Sequence, residues 1–185
     1  LLKHIEVGQI LAGEELPDID HTVFGCEKGQ TWAADGIGYK FLHPEPGSLL
    51  SGNDSSCVLT VSAGRHHLIL TGDIEAAGER SVLAQLPSEA VSVALIPHHG
   101  SLTSSSPAFV NRLQAGLAVA STGYANRWGF PIERVMKRWE GAGAVVLDTA
   151  SSGAVSFRLC ERGGLSRLSE ERLQQRRFWH DSEAH

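Results

Sequence analysis

Two short stretches decide the fold of this chain: HHLILTGD at residues 66–73 and SVALIPHHGS at residues 92–101. Each begins as an apolar run typical of a strand and ends in residues that turn the chain or bind metals. In α/β sheets, ligands gather at the carboxyl ends of strands, because side chains converge there on a crevice without blocking the core. Gly72 and Gly100 also permit sharp turns and a close approach of a ligand to the backbone. We therefore expect a site at these two strand ends.

The polar residues at these ends, Asp73, His98 and His99, are candidate metal ligands. A carboxylate can offer one oxygen to each of two metals, and an imidazole nitrogen suits Zn, Mn or Fe. A pair of neighbouring metals is a standard device for in-line displacement at phosphorus. We expect Asp73 and His98 to lie close together at the ends of neighbouring strands, with His99 nearby. A second pair, His66-His67, sits at the start of a strand and is interpreted as surface histidine.

The rest of the chain alternates strands and helices, which favours an α/β layered domain. The segments 57–62 and 66–71 are typical of a hairpin, and the last predicted helix places Ile132, Val135 and Trp139, with Met136, on one apolar face. Strands are predicted over residues 4–11, 37–42, 57–62, 66–71, 92–96, 117–121, 144–147 and 154–159, and helices over residues 79–86, 107–114 and 131–140.

Composition and charge exclude several classes of protein. A chain of 185 residues is enough for one ordinary domain. Its net charge of -5 excludes a strongly basic protein that holds nucleic acid by charge alone, but not a site that binds phosphate locally. Its apolar runs are far too short to cross a bilayer, and residues 1–30 show no signal-peptide pattern. The cysteines Cys26, Cys57 and Cys160 are odd in number and widely spaced, so neither a zinc knuckle nor a disulfide framework is predicted.

The chain is predicted to divide into a domain at residues 1–160 and a charged C-terminal tail at residues 161–185. The tail carries five of the 16 basic residues and five acids. It is interpreted as a solvated helix or frayed terminus, the alternative being an arm that contacts phosphate, and we expect it to be dispensable for folding. Because the chain opens with Leu1-Leu2 rather than Met, we also expect it to be a piece of a longer protein.

Four groups of residues extend the pattern along the chain. They are Asn53 with Ser56–Leu59, Leu70–Glu75, Ile96–Ser101 with Thr103–Ser105, and Ser121–Gly123 with Asn126-Arg127. Together they resemble the metallo-β-lactamase-fold domain of the ComEC family, whose members are large inner-membrane proteins that carry single-stranded DNA into the cytoplasm in natural transformation. Cys26, Trp32 and Leu42–Pro44 also look like parts of that domain, and the resemblance covers roughly residues 1–159.

The resemblance implies an α/β fold of the metallo-β-lactamase-like αβ/βα sandwich type, present here only in part. Asp73 would be the bridging aspartate and His98 or His99 the metal-binding histidine, with Zn²⁺ or Mn²⁺ as the expected ion. His99 and Ser101 are the candidate catalytic residues. Ser101 and the hydroxyl cluster Thr103–Ser105 could hydrogen-bond phosphate oxygens, or could instead cap the helix that follows.

Two departures from the family pattern bear on the site. The family's defining motif, His-x-Asp-x-Asp-His, is absent, since Asp18-Ile19-Asp20-His21 imitates only its second half, and the motif itself is expected upstream of Leu1. A two-metal site is therefore expected only in the complete domain, and this chain alone is expected to be inactive. Phe130 stands where relatives often carry a histidine, which removes a polar group from the rim of the site.

The favoured function is part of a metal-dependent phosphodiesterase or nuclease domain of a DNA-uptake channel protein. The expected partners are DNA, either single-stranded or the degraded strand, the membrane channel part of the same protein, and other DNA-uptake proteins. The protein is expected in the inner membrane, with this domain on the periplasmic side. The alternatives are a non-catalytic structural or docking module of the same protein, or a hydrolase of small phosphoesters or thioesters on the same fold.

Overall fold

The computed structural model describes residues 7–14, 16 and 21–175. Its first strands are β1 (Ile10–Ala12) and β2 (Val23–Gly25), which pair in parallel as a small sheet of their own. The strand predicted over residues 4–11 lies partly outside the described residues, and its described part is a strand only from Ile10 onward. Residues 18–20 of the motif-like run, and the tail beyond Gln175, also lie outside the described residues.

A seven-stranded mixed sheet forms the centre of the fold, and its strands lie side by side in sequence order. The strands are β3 (Thr31–Ala34), β4 (Ile37–His43), β5 (Val58–Ala63), β6 (His66–Leu70), β7 (Val93–Leu95), β8 (Leu117–Ala120) and β9 (Val145–Asp148). Neighbouring strands from β3 to β6 pair antiparallel, and neighbouring strands from β6 to β9 pair in parallel. The predicted α/β class is thereby confirmed, as is the predicted hairpin, which is formed by β5 and β6.

Three helices join the parallel strands and pack on one face of the sheet: α1 (Ala76–Val82), α2 (Pro107–Leu113) and α3 (Glu133–Gly141). Parallel neighbours need such crossover connections, which is why strand and helix alternate here. The helix predicted over residues 79–86 begins earlier and ends as a 3₁₀ turn at Leu83–Gln85. No helix in the described part of the chain has the length and apolar character that a membrane crossing requires.

The predicted apolar face of α3 is confirmed. Val135 and Trp139 are fully buried in the main core, and Ile132 and Met136 are partly buried against it. The helix begins at Glu133 rather than at Pro131, because Ile132 still has extended backbone geometry. The indole Nε1 of Trp139 donates to the hydroxyl of Ser105 at 3.1 Å, so the one polar atom of this buried ring is satisfied.

The other face of the sheet packs against a hairpin of β10 (Val155–Cys160) and β11 (Gly164–Glu170). Short helices, α4 (Thr149–Ser152) and α5 (Glu171–Gln174), precede and follow it. Phe157 and Leu165 of the hairpin pack against Val93, Leu117 and Val119 of the sheet. The interpretation of the tail as a solvated helix or frayed terminus is therefore wrong for residues 164–170, which form a strand. The domain boundary at residue 160 remains a prediction.

A disulfide joins Cys26 to Cys57, with 6.0 Å between their Cα atoms. The prediction that the cysteines form no disulfide is wrong, because the fold brings the end of β2 beside the start of β5 across a separation of 31 residues. Cys26 is buried, and its N–H donates to the carbonyl of Ala12 at 2.9 Å. Cys160 is left as an exposed free thiol, which explains the odd count.

Candidate functional site

The two stretches at residues 66–73 and 92–101 end at one edge of the sheet. Asp73 follows β6, and His98 and His99 follow β7, its parallel neighbour. The N–H of His98 donates to the carbonyl of Gly72 at 3.3 Å, which ties the two strand ends together. The expectation that Asp73 and His98 lie close together, with His99 nearby, is confirmed for the positions of these residues. Their role as metal ligands stays a prediction.

The backbone at both strand ends is unusual. Gly72 has a φ of +54°, and a Cβ there would lie 2.7 Å from the Cβ of Ser56. Gly100 has a φ of +80°, and a Cβ there would lie 2.8 Å from the Cβ of Pro131. Between them, His98 and His99 adopt left-handed φ values of 47° and 55°. Successive left-handed non-glycine residues cost free energy and cluster at functional sites, so this turn marks the edge as a candidate site.

His99 is aimed at Asp73. Its Nδ1 lies 2.6 Å from the carbonyl oxygen of Ser121, and because a carbonyl can only accept, Nδ1 carries the proton. In the neutral form of the ring, the free lone pair is then on Nε2, which lies 3.7 Å from the Oδ1 of Asp73. A carbonyl that holds the far nitrogen is a common way to orient a metal-binding imidazole. Both side chains remain nearly half exposed, at 47% for His99 and 42% for Asp73, so a ligand can reach them.

His98 is occupied by other side chains. Its Nδ1 lies 3.1 Å from the Oε1 of Glu75 and 3.2 Å from the hydroxyl of Thr103, which itself donates to Glu75 at 2.9 Å. Its Nε2 lies 3.4 Å from the amide nitrogen of Asn53. Since both ring nitrogens already have neighbours, the geometry favours His99 over His98 as the ligand that pairs with Asp73.

Ser101 and the hydroxyl residues after it brace the turn. Ser101 is buried, and its hydroxyl lies 3.0 Å from that of Thr103. The hydroxyl of Ser104 donates to the carbonyl of Pro97 at 2.8 Å, and Ser106 caps α2 through a 3.4 Å bond from the N–H of Phe109. The cap of α2 is therefore Ser106 and not a residue of the cluster Thr103–Ser105, and Ser101 is not among the described residues that line the pocket.

A buried carboxyl group binds the backbone of the loop that follows the two histidines. Glu79 of α1 accepts hydrogen bonds from the N–H groups of Ser105 and Ser106, the latter at 2.8 Å. Burial raises the pKa of Glu79 above its ordinary value, although the bonds from Ser106 and Ser105 and the charge of Arg138 act in the opposite direction. Glu79 therefore anchors the end of the loop that runs from the histidines to α2.

An open pocket of about 500 Å³ lies in front of His99 and Asp73. One wall of the pocket is the loop of residues 121–130. The side chain of Asn126 holds the end of this loop, since it donates to the carbonyl of Phe130 at 2.6 Å and accepts a hydrogen bond from the N–H of the same residue at 3.0 Å. The ring of Phe130 meets that of His98 edge-on, with 5.9 Å between centroids. The pocket is lined by Asp73, His98, His99, Ser121, Thr122, Gly123, Asn126, Trp128 and Phe130.

Sequence reasoning missed three contributions to this pocket. The hydroxyl of Ser56 accepts a hydrogen bond from the N–H of Asp73 at 3.1 Å, and the carbonyl of Ser121 accepts one from the Nδ1 of His99. Trp128 forms part of the wall. Ser56 and Ser121 belong to runs that matched the family resemblance, but nothing in their spacing signals an orienting role, because both contacts cross between separate strand ends.

The donor types suit a divalent metal, but their number is too small. A zinc site needs three protein ligands even for one catalytic ion, and Asp73 and His99 supply two. Among the residues that the structure describes, no group of three or more His, Cys, Asp and Glu side chains could hold an ion. The described residues therefore supply two candidate ligands and no complete metal site.

Comparison with known proteins gives a consistent result. No family model matches the chain. The chain is 38% identical over 173 residues to Competence protein ComA of Neisseria gonorrhoeae, 34% identical over 130 residues to Recombination protein 2 of Haemophilus influenzae, and 32% identical over 138 residues to ComE operon protein 3 of Bacillus subtilis. These alignments cover 93%, 70% and 75% of this chain and 24%, 16% and 18% of the relatives. The chain thus spans a quarter or less of their length.

A solved structure from Thermotoga maritima, described as a putative Zn-dependent hydrolase of the metallo-beta-lactamase superfamily, covers 76% of this chain with 13% identity and a TM-score of 0.40. The class of the chain that its own structure shows is an α/β domain with a central mixed sheet, as the sequence predicted. By its relatives the chain is a ComEC-like domain, similar to one part of each of these longer proteins.

Proposed function

We propose that this chain is part of a metal-dependent phosphodiesterase domain that acts on DNA during its uptake. The observation that carries the proposal is the pairing of the free Nε2 of His99 with the carboxylate of Asp73 at 3.7 Å, at the mouth of an open pocket. The competence-protein relatives support a role in DNA uptake. Ser121 and Ser56 would hold the imidazole and the Asp73 backbone in place.

Asp73 and His99 would each donate to a divalent ion, Zn²⁺ or Mn²⁺, and the remaining ligands would come from another part of a longer protein. Such an ion supplies Lewis acidity toward a phosphate oxygen. The contribution of this chain is to orient two donors before the ion arrives, since the Ser121 carbonyl keeps the Nε2 lone pair of His99 available. His98 would position the turn rather than bind the ion, and Ser101 would act in the same indirect way.

The disulfide supports a place outside the cytoplasm. Bonds such as Cys26–Cys57 form and persist in oxidising compartments and are rare in the cytosol. We propose that this domain lies on the periplasmic side of the inner membrane, and the disulfide supports this proposal. Its partners there would be DNA, the membrane channel part of the same protein and other DNA-uptake proteins.

A second candidate is a non-catalytic module of the same protein. The observation in its favour is Phe130, whose ring lies against His98 and forms part of the pocket wall in a site with only two paired donors. In that case the domain would brace the channel or dock a partner, and it would hold no stoichiometric metal when complete.

The deciding experiment uses the complete domain. It is assayed with Zn²⁺, Mn²⁺ and Mg²⁺ in turn on single-stranded DNA, a small phosphodiester and a thioester, with a chelator as the control. We expect metal-dependent cleavage of the DNA that the chelator abolishes. Preference for the small phosphoester or the thioester would replace DNA as the substrate class. A metal-free, inactive domain would favour the non-catalytic module.

A further inference from the structure

The pocket-wall loop presents two aromatic rings to solvent, each beside an arginine. Trp128 is 61% exposed, and the guanidinium of Arg127 lies 4.3 Å from the centroid of its ring. Tyr124 is 63% exposed, and the guanidinium of Arg172 lies 5.7 Å from its ring centroid. Single exposed aromatic residues are common, but two exposed rings that each lie beside a guanidinium, one of them on the pocket wall, form a candidate binding surface.

The loop is held rigid, so its rings are presented in a set geometry. Asn126 bonds both the carbonyl and the N–H of Phe130, and the N–H of Gly129 donates to the carbonyl of Asn126 at 3.1 Å. These bonds close the turn that carries Arg127 and Trp128. A ligand that stacks on a loop already ordered in this way loses little conformational entropy on binding.

Arg127 and Arg172 place two cations beside these rings, in a chain of net charge -5, so this surface favours a local anion rather than a generally acidic partner. Bases of single-stranded nucleic acid stack on aromatic rings and arginine planes, while neighbouring cations follow the phosphates. Bases in a duplex are stacked on one another and cannot do this. The surface thus combines the two features that an unpaired strand requires, and its Trp128 also lines the pocket of Asp73 and His99.

We propose that the Arg127–Trp128 pair, together with the Arg172–Tyr124 pair, forms a platform on which the unpaired bases of single-stranded DNA stack. The platform would seat a strand so that a neighbouring phosphate faces Asp73 and His99. The choice of DNA as the ligand of this platform rests on the proposed function. The new element is that the strand is recognised by its unpaired bases, largely through Trp128.

The test measures binding of a fluorescent twelve-thymidine strand by anisotropy, at low salt and with EDTA present, so that no cleavage is involved. The full chain is compared with Trp128→Ala and with Trp128→Phe, which keeps an aromatic face. Trp32→Ala is the matched control, because Trp32 is 41% exposed on β3, at the opposite end of the sheet from β9. An abasic strand and a duplex of the same length complete the set.

We expect Trp128→Ala to weaken binding of the thymidine strand at least about fivefold, with Trp128→Phe retaining most of the affinity and Trp32→Ala unchanged. The abasic strand and the duplex should bind weakly and be insensitive to Trp128→Ala. Equal binding of the abasic strand, an unaffected Trp128→Ala variant, or no measurable binding by the wild type would overturn the platform. An unaffected variant would leave the loop as a surface for a protein partner. Because the assay is metal-free, a failure to cleave DNA does not bear on it.

Discussion

The Nε2 atom of His99 faces the Oδ1 atom of Asp73 across 3.7 Å, although the two residues follow different strands. The parallel pairing of β6 and β7 brings their carboxyl ends together, and the Ser121 carbonyl determines which imidazole nitrogen is free. His98, the preceding residue, turns away toward Glu75. Two adjacent histidines therefore have different tasks, and this division leads to the first prediction.

His99→Ala should weaken Zn²⁺ binding at least about tenfold, whereas His98→Gln should leave it nearly unchanged. The reason is that only His99 offers a free lone pair beside Asp73, while the ring nitrogens of His98 contact Glu75, Thr103 and Asn53. The measurement is a competition titration of the complete domain against a zinc indicator. The reverse ranking of the two variants would identify His98 as the ligand.

Trp139→Ala should lower the free energy of unfolding by about 3–5 kcal/mol. The ring is fully buried in the main core, and the variant also leaves the Ser105 hydroxyl without its indole partner. Urea denaturation measures the change, with Lys137→Ala on the exposed face of the same helix as the control. The control should change stability by no more than about 0.5 kcal/mol. A loss below about 1 kcal/mol for Trp139→Ala would mean that the buried face is assigned wrongly.

Glu79→Gln should change how stability depends on pH. Burial raises the folded-state pKa of Glu79, so the folded protein binds this proton more tightly than the unfolded chain does. The contribution of Glu79 is then fully present below its unfolded pKa and is lost as the pH rises through its folded pKa. The free energy of unfolding is measured for both proteins at about pH 7 and about pH 4. The stability of the wild type relative to Glu79→Gln should be greater at the lower pH. A gain at the higher pH would reverse the sign of the shift.

Removal of the disulfide, by the double change Cys26→Ser and Cys57→Ser, should lower the free energy of unfolding by about 3–4 kcal/mol, the loop-closure value for this separation. The bond closes a separation of 31 residues between β2 and β5. Chemical denaturation of both forms gives the difference, and Cys160→Ser, which removes only the exposed free thiol, serves as the control. If the double variant were as stable as the control, the bond would not constrain the unfolded chain.

The strand ends and the helix face were predictable because each depends on a local pattern. An apolar run followed by glycine and a polar residue predicts a strand end, and the spacing of Val135 and Trp139 predicts a helix face. The choice between His98 and His99 was not predictable, since it depends on two successive left-handed residues that turn adjacent side chains in different directions.

Two other features escaped prediction for physical reasons. The disulfide joins residues that only the packing of β2 near β5 brings together. The strand β11 carries no clean alternation, because Arg167 has a φ of +53° and the register with β10 shifts between Ser156 and Arg158. A bulge of this kind breaks the two-residue period by which strands are recognised.

The most direct test of the central claim is the rate at which the complete domain cleaves a labelled single-stranded oligonucleotide in Mn²⁺, with Asp73→Asn compared with Asp35→Asn. The control removes a carboxylate from the turn between β3 and β4, where Asn tolerates the left-handed φ of 51°. We predict that Asp73→Asn loses about 100-fold or more in rate, because metal-assisted charge stabilisation is worth several kcal/mol, while Asp35→Asn retains wild-type activity. Full cleavage activity in Asp73→Asn would contradict the account.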